Sequence, residues 1–419
     1  MTSKEAYVWI WLDGKVEPIV CGRIEEENGY YYFNYGRSYL EKAKDNANLY
    51  SIYEAELPLI EGRLPLLNNL KMPNAIRDAS PDAWGRRVIL NKVSGSKAKD
   101  KDTGDLSELL YLLESGSDRI GALDFQESPT QYVPRKSTNI SLEELLDSSE
   151  KVEKGIPLNQ ELDFALLHGT SIGGARPKAL VEEKETKYVA KFASTADYYH
   201  VVKAEYISMR LAKLVGIDVA DVKLTKAAKK DVLLIKRFDR IRKKDGWTRK
   251  RIVSALTLLG LDEMLARYAS YETLCEIIRH RFVSPKETLE ELYKRLVFNI
   301  LSGNTDDHAR NHAAFWNGNS LSLTPAYDIC PQARSGNEAT QAMLITGEDR
   351  RSQIQVCLQA RNQFLLSKQK ATEIVKHQIQ TIEKKWKSVC EEAELSQVDR
   401  NLLWKRQFLN PFSLEGVKR

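Results

Sequence analysis

The sequence predicts an α+β fold with a β-rich N-terminal subdomain, a mixed α/β block and an all-α C-terminal block. Three observations support this: strand-like apolar segments separated by turn signals near the N-terminus, strands flanking a helical pattern in the middle, and mainly helical periodicity from residue 254 onward. The predicted domains are residues 1–125, 126–253 and 254–419.

The composition is that of an ordinary folded protein. The 419 residues are 42% hydrophobic and 29% charged, which excludes a disordered chain. There is no N-terminal apolar signal and no apolar run long enough to cross a bilayer. The five cysteines are scattered without CxxC pairing, which is typical of reduced thiols. We therefore expect a cytoplasmic protein without a membrane partner. The net charge of +5 does not by itself indicate nucleic-acid binding.

The N-terminal block begins with three predicted strands, YVWIWL, PIVCGRI and YYYFNYG, separated by the turn signals DGK and NG. A helical stretch follows and includes SPDAWGRRVIL, where Ser80 is the expected N-cap and Pro81 the expected first helical residue. Residues 126–140 are polar and contain two prolines. They are predicted to be a linker.

The middle block opens with a glycine-containing loop, GTSIGGARPK at 169–178. Gly173 and Gly174 allow a tight turn with exposed amide groups, which a phosphate-binding loop requires. The segment is not a Walker A loop, and a simple hairpin turn is the alternative interpretation. Two predicted strands follow, KALVEE and KYVAKF. Lys191 in the second lies among apolar residues, so it either meets an anion or points to solvent from an edge strand.

A helix and a buried strand complete this block. VVKAEYISMRLAKLVG is an amphipathic helix on which Glu205 could reach Lys191. DVLLIKRFDR contains a continuous apolar strand, as expected for burial on both faces, and ends in a polar connector. A glycine loop, a strand lysine, a helix glutamate and a buried strand, in this order, are typical of a protein-kinase-like N-lobe, so the predicted fold is two-lobed.

The C-terminal block contains a polar loop after a well-marked helix. Ser284 and Pro285 begin the helix, and Gly303 is placed to end it in the left-handed conformation. The loop GNTDDHARN follows, and NGN at 317–319 predicts a hairpin. Because a hairpin returns the chain to its start, we expect Asn311 and Asp328 to lie near each other.

These residues predict a site for magnesium and a nucleotide. Asn311 and Asp328 supply hard oxygen ligands of the kind that Mg²⁺ prefers. Asp306 stands five residues before Asn311, which is the spacing of a kinase catalytic loop, and His308 is a supporting residue. Three other interpretations are weaker. Asp306 and Asp307 could be ordinary loop acids after a helix. His308 and His312 have zinc-protease spacing without the glutamate, and a hydrolase built on Ser171 and His308 lacks the GxSxG elbow.

The chain resembles HipA-type toxin kinases of bacterial toxin–antitoxin modules. The segments that carry the resemblance are TSIGGARPKAL, KYVAKF, LIKRFDR, GNTDDHARNHAAF and LTPAYDI. The resemblance implies an ATP- and Mg²⁺-dependent serine/threonine kinase with the nucleotide between two lobes. Asp306 would be the catalytic base, Asn311 and Asp328 the metal ligands, and Ser171 the site of inactivating autophosphorylation. The implied ATP-binding residues are Ser171, Ile172, Gly173, Gly174, Ala175, Lys178, Lys191, Glu205, Lys236, Phe238, His308, Asn311 and Asp328.

The resemblance also implies partners. They are a helix-turn-helix antitoxin, operator DNA bound by the complex, and a protein substrate in the translation machinery, such as a tRNA-charging enzyme. The segment KRFDRIRKKDGWTRKR at 236–251 carries nine basic residues. Its DG turn predicts a hairpin that presents much of this charge outward, either to solvent or to DNA phosphates, with Arg242, Lys243, Lys244 and Arg249 as the contacts. A small-molecule kinase and a nucleotide-binding pseudokinase that serves as an interaction module are the alternative functions.

Overall fold

The computed structural model divides the chain into two compact units. The first contains Met1–Ala196, Thr225–Val253 and Phe315–Asn319, and the second contains Asp197–Leu224, Ser254–Ala314 and Ser320–Arg419. The structure describes residues 4–95, 101–135, 140–156, 158, 166, 176–194, 197, 199–334 and 336–417. Among the described helices, none is both long enough and apolar enough to cross a membrane.

The first unit begins with an antiparallel sheet of order β3-β2-β1-β4. Its strands are β1 Glu5–Trp11, β2 Pro18–Glu27, β3 Tyr30–Tyr35 and β4 Leu123–Gln126. Asn28 and Gly29 join β2 to β3 with φ angles of 53° and 80°, as the predicted NG turn requires. The three strands expected from the sequence are therefore present. The segment after β4 is held against this sheet, since Tyr132 packs on the Trp9 ring with centroids 5.3 Å apart.

Five helices are described in the first unit. They are α1 Arg37–Lys44, α2 Asn74–Arg77, α3 Ala83–Ser94, α4 Glu108–Glu114 and α5 Leu142–Glu153. The expectation for the start of α3 was wrong by two residues. Asp82 is the N-cap, and its Oδ1 accepts a hydrogen bond from Gly85 N at 2.8 Å. Aspartate and serine cap equally well, and Asp82 has a second role described below.

A second sheet has the order β5-β6-β8-β7. Its strands are β5 Lys178–Glu183, β6 Thr186–Phe192, β7 Val222–Ala227 and β8 Lys230–Lys236. Ala190 and Phe192 of β6 lie with Val232 and Leu234 of β8 in one apolar core that also contains Trp84 of α3. Every residue from Val232 to Ile235 is buried, as the continuous apolar run predicts.

The basic segment forms the predicted hairpin, but not all of its charge faces solvent. Strands β9 Arg240–Lys243 and β10 Gly246–Arg249 pair around the DG turn. Arg237 and Arg240 are only 7% and 6% exposed. The expectation of an outward basic surface is therefore wrong for these two arginines.

Carboxylate partners explain the burial of the arginines. Arg237 donates to both oxygens of Asp239, at 2.9 and 2.8 Å. Arg240 donates to Asp118 Oδ1 at 2.9 Å and to Asp239 Oδ2 at 2.8 Å. Burial alone would raise the pKa of Asp239, but the neighbouring guanidinium groups lower it to about 2. Charges removed from water must be paired, and these four residues pair one another.

Two further arginines of the segment are also held within the first unit. The Arg249 guanidinium stacks over the Trp11 ring at 3.3 Å, and its Nη1 donates to Ser117 O at 2.8 Å. Arg251 is 4% exposed, and its Nη1 donates to Tyr50 O at 2.9 Å. Arg242, Lys243 and Lys244 at the tip remain exposed.

The second unit is mainly helical. Its described helices are α6 Val201–Leu214, α7 Ala255–Leu258, α8 Tyr271–Arg281, α9 Pro285–Ser302, α10 Ile354–Ala360, α11 Lys368–Glu392 and α12 Gln397–Leu403. Helix α9 begins at Pro285 and ends at Gly303, whose φ is 73°, as the sequence predicts. Leu289, Leu292, Leu296 and Ile300 on α9 are fully buried. This helix therefore runs through the core of the unit.

Three short strands lie between β10 and α10 along the chain, β11 Ile252–Ser254, β12 Ala313–Trp316 and β13 Leu321–Leu323. At the base of the hairpin formed by β12 and β13, Thr324 N donates to Ala313 O at 3.0 Å. The hairpin predicted from NGN is thus present.

Candidate active site

The loop that follows α9 is fixed at its origin by the end of this helix. Gly303 adopts the left-handed conformation, and Asn304 N donates to Asn299 O at 2.8 Å. These bonds satisfy carbonyl groups that a helix end otherwise leaves free. A Cβ atom at Gly303 would lie 2.7 Å from Gln407 O, so glycine is required both for the turn and for the close approach.

The backbone of the loop is also held by the segment that follows the hairpin. Gly303 O accepts from Gln332 N at 2.9 Å, and Thr305 O accepts from Ala342 N at 3.1 Å. Asn304 O accepts from the Gln341 side chain at 3.0 Å. Three successive carbonyls thus have partners outside the loop. The polar stretch is a well-defined part of the second unit.

The two adjacent acids of the loop have opposite environments. Asp306 is exposed, whereas Asp307 is 1% exposed. Protein atoms nevertheless surround the carboxyl group of Asp306, and this partial desolvation is the main cause of its raised pKa. His308 opposes the shift, whereas the negative charges of Asp328 and Asp307 add to it. Asp306 is thus an accessible carboxylate with a raised proton affinity, as a proton acceptor requires.

A short turn places Asn311 against Asp306. His308 N donates to Asp306 O at 2.9 Å, and Asn311 N donates to His308 O at 2.8 Å. The Asn311 side chain then reaches back, with Nδ2 donating to Asp306 O at 2.9 Å. This bond fixes the carboxamide plane and leaves the Oδ1 oxygen as the group that can bind a cation. The five-residue spacing therefore brings the two residues into contact.

The hairpin brings the segment containing Asp328 to the same loop. Tyr327, the residue before Asp328, donates its hydroxyl to Arg310 O at 2.7 Å, and Arg310 directly precedes Asn311. Asp328 itself has a φ of 58°, which is uncommon for a residue other than glycine and is concentrated at functional sites. Asn311 and Asp328 offer one amide oxygen and one carboxylate, which fits the small number of protein ligands that Mg²⁺ takes beside phosphates and water.

The lysines predicted to bind phosphate lie in the second sheet of the first unit. Lys191 on β6 is 8% exposed, and Lys178 on β5 lies opposite it in the strand register. Lys178 is fully buried, and its Nζ donates to Asp82 Oδ2 at 2.8 Å. Asp82 therefore caps α3 and also neutralises Lys178. Phosphate binding by both lysines stays a prediction, and the loop residues Ser171, Ile172, Gly173, Gly174 and Ala175 lie outside the described residues.

Three other predicted residues have defined positions. Lys236 is exposed at the end of β8, and Phe238 packs edge-on against Phe315 with ring centroids 5.9 Å apart. Glu205 on α6 is 2% exposed. Its pairing with Lys191 stays a prediction.

Sequence reasoning missed the partners of Asp307, which lie beside the candidate site residues Asp306 and Asn311. His312 Nε2 lies 2.8 Å from Asp307 Oδ1, and the Tyr271 hydroxyl donates to Oδ2. The sequence suggests His312 only as a weak zinc ligand, and Tyr271 lies at the start of α8, distant along the chain. The polar, helix-breaking surroundings of Asp307 are those of an ordinary surface acid. Only the tertiary packing identifies it as a buried one.

Comparison with known proteins places these features in a family. Residues 170–386, just over half of the chain, match the family described as the HipA-like C-terminal domain. The chain is 27% identical over 158 residues to the serine/threonine-protein kinase toxin HipA of Shewanella oneidensis. This match covers 34% of the chain and 36% of that protein, so it spans about a third of the length of this relative.

A solved structure extends the likeness in fold. It contains HipA of Shewanella oneidensis MR-1 with HipB and operator DNA, and the chain matches it with a TM-score of 0.67 at 17% identity. The match covers 95% of this chain and 93% of that one. The predicted α+β, protein-kinase-like fold is thereby confirmed.

Proposed function

The chain belongs to the family of the HipA-like C-terminal domain, and on this premise we propose that it is an ATP-dependent serine/threonine protein kinase, the toxin of a toxin–antitoxin pair. One observation carries the proposal. Asp306 is exposed on a loop whose backbone is hydrogen-bonded to other parts of the second unit, and the Asn311 side chain donates to the backbone oxygen of Asp306 at 2.9 Å. Kinase catalysis consists mainly of positioning and charge stabilisation, and such a loop supplies both.

Asp306 acts on the acceptor hydroxyl. Its carboxylate accepts a hydrogen bond from a serine or threonine hydroxyl of the protein substrate and orients the oxygen for attack. It takes the hydroxyl proton as the new bond to the γ-phosphorus of ATP forms and the bond from that phosphorus to the β,γ-bridging oxygen breaks, with ADP as the leaving group. Because its pKa is raised, Asp306 is a stronger base for this proton than an ordinary surface carboxylate would be. The exposure of Asp306 gives a protein substrate access to it.

The remaining predicted residues would hold the nucleotide. ATP would supply the phosphoryl group, and Mg²⁺ would neutralise the negative charge of the ATP phosphates. Asn311 Oδ1 and the Asp328 carboxylate would bind the metal, and His308 would support the loop that carries Asn311. Lys178, Lys191 and the loop from Ser171 to Ala175 would bind phosphates, and Lys236 and Phe238 would lie near the adenine. Glu205 would orient Lys191.

We further propose that Ser171 is autophosphorylated and that this modification switches the enzyme off. A phosphoserine carries about −1.5 to −2 charges. It would compete with ATP for the lysines and amides of the same loop. The proposed partners are a helix-turn-helix antitoxin and operator DNA, because HipA of Shewanella oneidensis was solved with HipB and operator DNA. A component of the translation machinery, such as a tRNA-charging enzyme, is the proposed substrate.

Replacement of the loop acids tests the proposed activity. Purified wild-type, Asp306→Asn and Asp328→Asn proteins are incubated with γ-labelled ATP, Mg²⁺ and a protein extract. We expect Asp306→Asn to lower kcat by about 10²–10⁴-fold, as for loss of a general base, and Asp328→Asn to raise the Mg²⁺ requirement. Asp45→Asn, at an exposed position after α1, is the control. Mass spectrometry then locates phosphate, expected on Ser171.

The outcomes separate the alternatives. Transfer that both loop variants retain at the wild-type rate contradicts the assignment of Asp306 and Asp328. Label that enters only small molecules identifies a small-molecule kinase. Mg²⁺-independent ATP binding without any transfer identifies a pseudokinase. Phosphate found only at positions other than Ser171 contradicts the proposed switch while leaving the kinase proposal intact.

A further inference from the structure

A buried polar cluster lies next to the exposed Asp306 in the loop. It consists of Asp307, Tyr271 and His312, which are 1%, 0% and 3% exposed. Tyr271 is the first residue of α8, and the other two belong to the loop. Polar groups in such a position usually have partners, and Tyr271 and His312 supply one to each carboxylate oxygen of Asp307.

The hydrogen bonds of the cluster follow from its chemistry. A carboxylate only accepts, so His312 donates through Nε2–H to Asp307 Oδ1 at 2.8 Å. The Tyr271 hydroxyl donates to Oδ2, and its oxygen lies 3.2 Å from His312 Nε2. Burial raises the pKa of Asp307, but electrostatic attraction to His312 and hydrogen bonds from His312, Tyr271 and Asn299 outweigh it and hold the pKa below its usual value. The cluster therefore contains a buried carboxylate with a donor on each oxygen.

The sequence positions of Asp307 and His312 explain how the cluster can hold the loop in one conformation. Asp306 directly precedes Asp307, and Asn311 directly precedes His312. The hydrogen bond between Asp307 and His312 therefore joins the two residues that directly follow the proposed functional residues Asp306 and Asn311. Tyr271 ties this closure to helix α8, and Ala255 N of α7 donates to His312 O at 2.7 Å. The loop ends are thus joined to each other and to two helices.

We propose that Asp307, His312 and Tyr271 form a positioning triad that holds Asp306 and Asn311 in the geometry needed for phosphoryl transfer. This inference rests on the proposed kinase function. In that mechanism none of the three residues touches the reacting groups, so each acts through its neighbours. Stability alone does not explain the cluster, because apolar residues of similar volume often replace buried charged groups without loss of stability.

A matched pair of tyrosines tests the triad. Tyr271 and Tyr293 are both fully buried and both pack on Phe364, with ring centroids 6.2 and 5.2 Å away. The Tyr293 hydroxyl has no hydrogen-bond partner in the described part of the chain. Tyr271→Phe therefore removes a bond to Asp307, whereas Tyr293→Phe removes a hydroxyl of the same kind without breaking any such bond.

Two measurements are made on the full-length protein. Steady-state kinetics give kcat and the KM for ATP, and hydrogen exchange measures protection of peptides spanning residues 303–314. We expect Tyr271→Phe to lower kcat by about 10–100-fold, since a misplacement of about 1 Å can cost 10²-fold, with less than about a threefold change in KM and with faster exchange confined to this loop. Tyr293→Phe should leave kcat, KM and loop protection unchanged.

A second pair of variants distinguishes positioning from packing. His312→Gln keeps a side-chain N–H that can reach Asp307, whereas His312→Phe keeps a ring and loses the donor. We expect His312→Gln to retain most of the loop protection and kcat, and His312→Phe to lose both. Combined with Tyr271→Phe, His312→Phe should have a less than additive effect, as expected for residues in one network.

The results that overturn the triad are distinct from those that overturn the kinase proposal. If Tyr271→Phe and His312→Phe keep wild-type kcat and loop protection, or lose activity only in proportion to the unfolded fraction, the triad is merely structural. If wild-type protein transfers no phosphate, the kinase proposal fails. In that case hydrogen exchange still decides whether these residues fix the loop.

Discussion

The adjacent aspartates Asp306 and Asp307 have the same side chain but differ in exposure and in the direction in which their pKa is shifted. Asp306 is exposed and has a raised pKa, whereas Asp307 is buried and has a lowered one. The difference arises from the surroundings of each carboxylate. Asp307 meets His312 and Tyr271, which outweigh its burial, whereas partial desolvation and the charges of Asp328 and Asp307 raise the pKa of Asp306. At the scale of the residue, neighbours in space determine the role of an aspartate.

Glycine at position 303 is a residue-scale feature that can be tested against a second glycine. Gly303 and Gly216 both follow helices with positive φ, 73° and 85°. A Cβ at Gly303 would meet Gln407 O at 2.7 Å, whereas one at Gly216 would meet nothing within 4 Å. We expect Gly216→Ala to lower the free energy of unfolding by about 1 kcal/mol, the typical cost of left-handed backbone. Gly303→Ala should lower it by roughly 2 kcal/mol more, because backbone must move to relieve the clash.

Urea unfolding followed by circular dichroism measures this difference. Since Gly303 also begins the proposed catalytic loop, kinase activity should fall in Gly303→Ala and remain in Gly216→Ala. Equal unfolding midpoints for the two variants would show that the clash with Gln407 is relieved without cost.

Local sequence signals predicted the candidate loop, but they did not predict the long-range hydrogen bonds that hold the loop in place. The glycine after α9 and the Asp306–Asn311 spacing depend on residues close in sequence, and the structure contains the turn and the hydrogen bond they imply. The bonds to Tyr271, Gln341 and Ala342 join the loop to chain segments far away in sequence. Such pairs follow from packing alone, so one sequence cannot identify them.

At the scale of secondary-structure elements, patterns were reliable where they were strong. The NG turn between β2 and β3, the apolar run of β8 and the N-terminal proline of α9 all correspond to observed elements. The start of α3 was misplaced because Ser80 and Asp82 are both good caps, and the partner that distinguishes them, Lys178, lies on another element. The hairpin at 240–249 was predicted, but the burial of its arginines was not.

The carboxylates paired with buried arginines predict acid sensitivity of the elements they join. The pKa of Asp124 and of Asp239 is lowered to about 2 by guanidinium groups that outweigh burial. A folded-state pKa below that of the unfolded chain, near 4, gives stability that is present above pH 4 and is lost as the pH falls toward 2. Each group should account for on the order of 2 kcal/mol. Urea unfolding midpoints measured from pH 7 to pH 2 should therefore fall steeply below pH 4.

Asparagine variants identify the source of this dependence. Asp124→Asn should lower stability at pH 7, since it leaves the fully buried Arg119 without its carboxylate at 2.8 Å, and should flatten the decline below pH 4. Asp245→Asn, at an exposed hairpin position, should leave the profile unchanged. An equally steep decline in Asp124→Asn would assign the acid sensitivity to other groups.

At the scale of the whole molecule, the net charge of +5 is less informative than its distribution. Of the nine basic residues at 236–251, Arg237, Arg240 and Arg251 are buried and Arg249 stacks on Trp11. Lys236 is exposed at the end of β8 and Lys250 is half-buried, so the exposed basic cluster left for an anionic partner is the hairpin tip, Arg242, Lys243 and Lys244. A count of charges overstates the surface available for DNA.

The exposed tip gives the proposed DNA interaction a defined test. We expect the complex of this chain with its antitoxin to bind operator DNA more weakly when Arg242, Lys243 and Lys244 are replaced by serine, because a basic side chain that neutralises a phosphate releases counterions. The slope of log K against log salt should become shallower by about 0.9 for each phosphate that the three side chains neutralise in the wild-type complex. Fluorescence anisotropy at several salt concentrations measures both the affinity and the slope.

A matched triple variant separates this local effect from a change in overall charge. Replacing Lys384, Lys385 and Lys387, which are exposed on α11, by serine removes the same charge and should leave the slope nearly unchanged. Equal slopes for the two triple variants would show that the tip is only solvated. Operator binding would then depend on the antitoxin or on other surfaces of this chain.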